Sequence, residues 1–129
     1  MRSTVQTPWD LNSQLLVRHV VSIPAGASNV RILASFDNDL VGAFFNGIQL
    51  NTETIIHANC PIRDEFRFDV PQEFVQPGEN LVVFHVLDVG RESFFDARIL
   101  LELRREELAT TIDAVAENRA QRGSARADK

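Results

Sequence analysis

The sequence predicts an all-β fold: an antiparallel jelly-roll β-sandwich of seven or eight strands, followed by a short C-terminal α-helix. Three observations predict it. Short apolar or alternating stretches recur up to residue 103. Turn signals separate them, among them Pro24-Ala25-Gly26, Asn46-Gly47 and Pro77-Gly78-Glu79-Asn80. Helical periodicity is missing until residue 104, apart from a short turn at 71–75. Antiparallel pairing follows because parallel strands need long crossovers, usually helical ones. Two sheets follow because a single sheet would leave one face of these apolar strands wet.

The elements come in this order. Residues 15–22 place Leu15, Val17, His19 and Val21 on one face and Leu16, Arg18, Val20 and Ser22 on the other. Pro24-Ala25-Gly26 ends this strand. Residues 29–36 place Val30, Ile32, Ala34 and Phe36 on one face. Residues 40–45 and 48–50 form a hairpin around Asn46-Gly47, since both central positions of a type I′ turn need φ > 0. Residues 54–57 are a weaker strand. In 64–70, Phe66, Phe68 and Val70 point inward and Glu65, Arg67 and Asp69 outward. Residues 81–87 are apolar on both faces and read as a central strand. In 95–103 the inward set is Phe95, Ala97, Ile99, Leu101 and Leu103. The pairs Phe44-Phe45 and Phe94-Phe95 must split between faces, with Phe45 and Phe95 inward.

Composition changes after Leu103. Residues 104–129 hold no aromatic side chain. Leu108, Ile112 and Val115 recur at helical spacing. Glu106 and Glu107 near the start and Arg119 and Arg122 near the end suit the helix dipole, and Gly123 stops the run. The domain reading is a sandwich over 1–103, an amphipathic helix over 104–122 and a flexible tail over 123–129. So short a helix is marginal alone, so its stripe needs a surface. Leu108, Ile112, Val115, Arg119 and Arg122 are the candidate partner-binding set. Folding back onto the sandwich is the alternative.

The region 36–50, FDNDLVGAFFNGIQL, together with the PGEN turn and the run LVVFHVLDVG, resembles the galactose-binding-domain-like family. Members often carry a DN…NG hairpin and a later PG-N turn that leads into a buried strand. The resemblance spans roughly residues 9–103. It implies a jelly roll and a place among sugar-binding modules or accessory domains, and it brings no ligand-binding motif.

The chain has 129 residues, enough for one domain, and 44% hydrophobic residues, enough for a packed core. A net charge of −5 argues against nucleic acid, whose binding needs a basic surface, and against anionic membranes. Cys60 is the only cysteine, so no internal disulfide forms, which suits a reducing compartment. The opening MRSTVQTPWDLNSQ lacks a signal peptide's apolar region, and no apolar run approaches ~18 residues. The expectation is a protein made in the cytoplasm without a signal peptide.

Candidate chemistry is sparse. Asp37, Asn38 and Asp39 offer oxygens to a hard cation, with Asp37 and Asp39 as calcium ligands and Asp88 and Asp96 as remote donors. The competing reading is turn capping by the Asx side chains. His57, Cys60 and Asp64 lie close in sequence, but no second cysteine supports zinc and no base or oxyanion site is visible for a nucleophile. His85 sits among apolar strand residues. For a sugar, Trp9 is the one side chain suited to both stacking and donating, with Asp37, Asn38, Asp39, Arg91 and Phe94 near it in loops.

These features predict no catalysis and no cofactor. The expected function is a structural or binding module in a larger protein assembly, by analogy with accessory proteins of phage particles. Its partners would be an assembly protein or copies of itself. The alternative is a carbohydrate-binding module.

Overall fold

A computed structural model describes residues 9–57, 60, 62–90 and 93–104. The described chain is all-β. Its strands are β1 (Gln14–Ile23), β2 (Ser28–Asp37), β3 (Asp39–Phe45), β4 (Ile48–Gln49), β5 (Ile55–Ile56), β6 (Phe66–Asp69), β7 (Gly78–Leu87) and β8 (Phe94–Glu102). One 3₁₀ turn, Gln72–Phe74, precedes β7. The expected strands are all present, with most ends shifted by only one to three residues, as fraying and turn geometry allow.

The strands form two antiparallel sheets. The five-stranded sheet runs β1-β7-β3-β4, with β5 also on β3, and the three-stranded sheet runs β6-β2-β8. β7 is central, as its two apolar faces require. It pairs with β1 from Gln14↔Leu87 to Ile23↔Gly78. β2 is central to the smaller sheet, pairing Ile32↔Phe68 on one side and Ile32↔Ile99 on the other.

One core lies between the sheets. Phe84 of β7 meets Phe68 of β6 at 6.4 Å and Phe95 of β8 at 5.1 Å between ring centroids. Ile32, Phe36, Leu40, Phe45 and Val86 are fully enclosed there. On β1 the core takes Leu15, Val17 and Val21, which leaves Leu16 70% and Val20 50% exposed on the other face. Phe45 and Phe95 are buried while Phe44 and Phe94 are half-buried, so both Phe pairs divide between faces.

β4 and β5 share one edge of β3 with a gap between them. The β3–β7 register shifts between Leu40 and Gly42. Asn51 fills the gap with its side chain. The Ala43 amide donates to Asn51 Oδ1 at 2.8 Å, and Asn51 Nδ2 donates to the carbonyls of Val41 at 3.2 Å and Glu53 at 2.8 Å. An amide side chain so replaces a missing stretch of ladder, as buried backbone groups demand.

The helix expected over 104–122 and the tail 123–129 fall, from residue 105 on, outside the described residues. β8 ends at Glu102, and Leu103 still packs on the core.

Candidate functional site

The Asp-Asn-Asp segment carries the chain from β2 in one sheet to β3 in the other. Asn38 lies at the crossing and is bonded on every side. Its amide donates to the Leu87 carbonyl at 3.0 Å, its carbonyl accepts from the His57 amide at 3.1 Å, and its Oδ1 accepts from the Val89 amide at 2.9 Å. Gly90 lies against this side chain: a Cβ there would stand 3.1 Å from both terminal atoms of Asn38. Asp37 is buried opposite Phe94, and Asp39 is half-buried, paired with Ile56 and Leu87. The segment is a strut between the sheets. Among the described residues no group of three His, Cys, Asp or Glu side chains could hold a metal ion.

Asp88 anchors the same end. Its carboxylate is buried, accepting from the Asn12 amide at 2.5 Å and the Gly90 amide at 3.2 Å, while its own amide donates to the Ser13 carbonyl at 2.9 Å. Asp96 sits within β8, opposite Ser35 of β2. Ser93 ties down Trp9: its hydroxyl donates to the Trp9 carbonyl and accepts from the Trp9 amide at 3.2 Å. The Trp9 ring packs against the core, and its Nε1 is buried with no partner among the described residues. Trp9, Asp37, Asn38, Asp39 and Phe94 thus gather at one end of the molecule, joined by structural bonds. Arg91, the remaining candidate, lies outside the described residues.

The His57, Cys60 and Asp64 grouping separates. Asp64 takes the Arg98 guanidinium in two bonds, one of them from Nε at 2.9 Å. Cys60 is half-buried and unpaired by any disulfide. His57 is buried, edge-on to Phe66 at 5.5 Å and to Phe36 at 6.3 Å. Its Nε2 lies 2.9 Å from Glu65 Oε2, at an angle too poor for a hydrogen bond. Sequence reasoning missed Glu65, because strand alternation placed it outward. Only tertiary packing, which sets His57 beside Glu65, brings the two together. Glu65 Oε2 also accepts from the Ile62 amide at 3.3 Å, so this carboxylate braces the loop.

Outside the loops, two surfaces stand out. The outer face of the larger sheet carries Leu16 and Val20 beside Leu81, Val83 and Phe44 through the β1–β7–β3 register. The Phe44 ring lies over Gly42, where a Cβ would come within 2.4 Å of it. His85 is on this face, with Nε2 2.7 Å from Gln14 Oε1. It is a sheet-face histidine held by one hydrogen bond. The second surface is a groove of about 410 Å³ between β1 and β8. No protein-family model matches this chain, nor does any curated protein or solved structure.

Proposed function

We propose that this chain is a non-catalytic structural module that attaches to a larger protein assembly through the outer face of its five-stranded sheet. The carrying observation is that face. Leu16 and Val20 are exposed and continue into half-buried Leu81, Val83 and Phe44 across three hydrogen-bonded strands. A flat apolar surface of this kind costs free energy in water and gains it against a partner. Arg18 stands between Leu16 and Val20, so the matching partner is a protein subunit with an apolar face and a carboxylate opposite Arg18.

The loop end supports this reading over glycan binding. Its polar side chains are engaged in holding loops, and the Trp9 donor is turned away from water. Eight strands in two antiparallel sheets support the jelly-roll architecture. A phage particle or similar machine is the assembly we favour, by analogy of size and architecture.

The test is co-purification of the full chain with particles from the cells that make it. Wild type should be present in fixed stoichiometry. The Leu16→Glu, Val20→Glu variant should fold normally and be absent from the particles. Equal incorporation of the variant, or wild type free of every particle, would overturn the reading.

A further inference from the structure

Among the described residues, β1 presents the longest unguarded strand edge. It ends the larger sheet and pairs only with β7. Its ten residues run without proline and without a register shift, and Arg18 is its single Lys, Arg, Asp or Glu. The other edges differ. β4 and β5 are two residues each, with the Asn51 side chain between them. β6 is four residues and carries Arg67 and Asp69. β8 carries Asp96, Arg98 and Glu102, and its pairing shifts between Ser28 and Arg31. Short strands, charges and irregular pairing keep an edge from recruiting another strand, and β1 has only Arg18 for this.

The free backbone groups of β1 can be assigned. The Asp88 amide donates to the Ser13 carbonyl, one step beyond the β1–β7 register. Alternation along an antiparallel ladder then turns the groups of Leu15, Val17, His19, Val21 and Ile23 towards β7. The Asn46 amide, donating to the Leu81 carbonyl on the other side of β7, gives the same phase. The groups of Gln14, Leu16, Arg18, Val20 and Ser22 therefore face the open edge.

We propose that this edge pairs with β1 of a second copy of the chain, antiparallel, about a two-fold axis at His19. A two-fold axis normal to the sheet keeps each side chain on its own face, so the pairing must centre on a residue. Centred on Arg18, it would set two guanidinium groups side by side, which is unfavourable. Centred on Val20, it would place Leu16 opposite Pro24, which has no amide to give. Centred on His19, Leu16 meets Ser22 and Arg18 meets Val20 of the copy, with about eight backbone hydrogen bonds in all. On the inner face Leu15 meets Ile23 and Val17 meets Val21, so the strand reads as aliphatic in both directions about His19. The groove fits the same occupant. Val17, His19 and Val21 bound it on one side and Phe95, Ala97 and Ile99 on the other. His19 is exposed although it is on the inner face, because the sandwich is open there. A copy seated on β1 brings a second Val17 and Val21 to this opening and takes apolar flank out of water. Leu16 and Val20 keep their outward direction, so the outer face becomes continuous across two chains.

The test uses the full chain with Cys60→Ser and one new cysteine at a time. Under mild oxidation His19→Cys should form a disulfide-linked dimer fastest, because only this residue stands opposite itself across the axis. Arg18→Cys and Val20→Cys should link several-fold more slowly, and Glu53→Cys, away from the edge, should stay monomeric. Faster linking at 18 or 20, or linking at 19 no faster than at 53, would overturn the proposal. A second measurement needs no cysteine. In sedimentation velocity the unaltered chain should shift from monomer towards dimer as its concentration rises. Val20→Pro removes an amide that points to the open edge and none that points to β7, a place where an edge strand tolerates proline. This variant should unfold cooperatively and stay monomeric at every concentration. An unaltered chain that stays monomeric, or a folded Val20→Pro chain that dimerises as well as wild type, would also overturn it.

Discussion

Asn46 and Asn80 clasp one another across two turns that are 34 residues apart: Asn46 Nδ2 donates to Asn80 Oδ1 at 2.9 Å. The same Asn46 nitrogen reaches the Phe74 carbonyl at 2.8 Å, and its Oδ1 accepts from the Leu81 amide at 2.8 Å. Asn80 is enclosed and uses all its capacity. Oδ1 also accepts from the Gln76 amide at 3.0 Å, and Nδ2 donates to the carbonyls of Gln76 at 2.8 Å and Gly78 at 2.9 Å. The Asn-Gly hairpin and the Pro-Gly-Glu-Asn turn are thus one polar knot at the end of the larger sheet.

Asn80→Leu should therefore be among the costlier substitutions in the chain. It leaves the Gln76 amide and one Asn46 donor, both in partly buried bonds, without their partner, at up to ~1–3 kcal/mol for each group. We expect a loss of about 2–4 kcal/mol in urea unfolding, with the slope unchanged. A midpoint within error of wild type would show that water replaces the knot freely.

Gly47 isolates the backbone's part in the same turn. Asn46 has φ 49° and Gly47 φ 81°, the two positive values a type I′ turn requires. A Cβ on Gly47 would meet nothing within 4 Å, so no steric clash confuses the result. Gly47→Val should cost ~1–3 kcal/mol through φ alone. An unchanged melting temperature would remove the turn assignment. Gly42 is the opposite case: a Cβ there collides with the Phe44 ring, so Gly42→Ala should displace that ring and alter the outer face.

The contrast between these residues shows what could be read from the sequence. Period-two alternation fixed the strand faces, because burial decides register: Phe66, Phe68 and Val70 point as their spacing demands. Asn-Gly declared its own turn, because few residues accept φ > 0. Asn51 did not declare its role, since patching β3 depends on a register shift visible only after pairing. The Asn46–Asn80 clasp was hidden for the same reason. At the candidate site, the polar cluster at 37–39 was legible as a place where side chains fasten backbone, but the side-chain bond of Asn38 to Val89 is not the local turn cap that the sequence suggests. That Asn38 holds the 87–90 loop was not legible, because the contact spans 51 residues. Long-range polar pairs leave no local periodicity.

His57 offers a prediction on packing. Its ring is buried edge-on against Phe36 and Phe66, which stack on one another at 4.5 Å, and Glu65 lies beside its Nε2. His57→Ala empties this aromatic corner and should cost about 2–4 kcal/mol. Glu65→Ala should cost less, because that carboxylate is partly open to water and braces only the Ile62 amide. Differential scanning calorimetry of both variants checks the order. A larger loss for Glu65→Ala would mean that the Glu65 carboxylate, and not the ring packing, holds this corner together.

Calcium should not be needed for folding. The Asp37–Asp39 segment is occupied as a strut, with Asn38 bonded to Leu87, His57 and Val89. Excess EGTA should leave the melting temperature where it was, and added calcium should not raise it. A drop of several degrees, reversed by calcium, would reveal a tightly bound ion stabilising the native state by mass action.

Truncation after Arg104 tests how much the two sheets owe to residues 105–129. β8 completes its pairing with β2 at Ser28↔Glu102, and Leu103 adds the last apolar side chain to the core. The ladders between the described strands are therefore complete without the removed segment. The shortened chain should keep a β-type circular dichroism spectrum and unfold cooperatively. Its melting temperature should stay within a few degrees of the full chain's, because strand pairing and core packing are complete by Leu103. A shortened chain without a cooperative transition would make the segment part of the folding core.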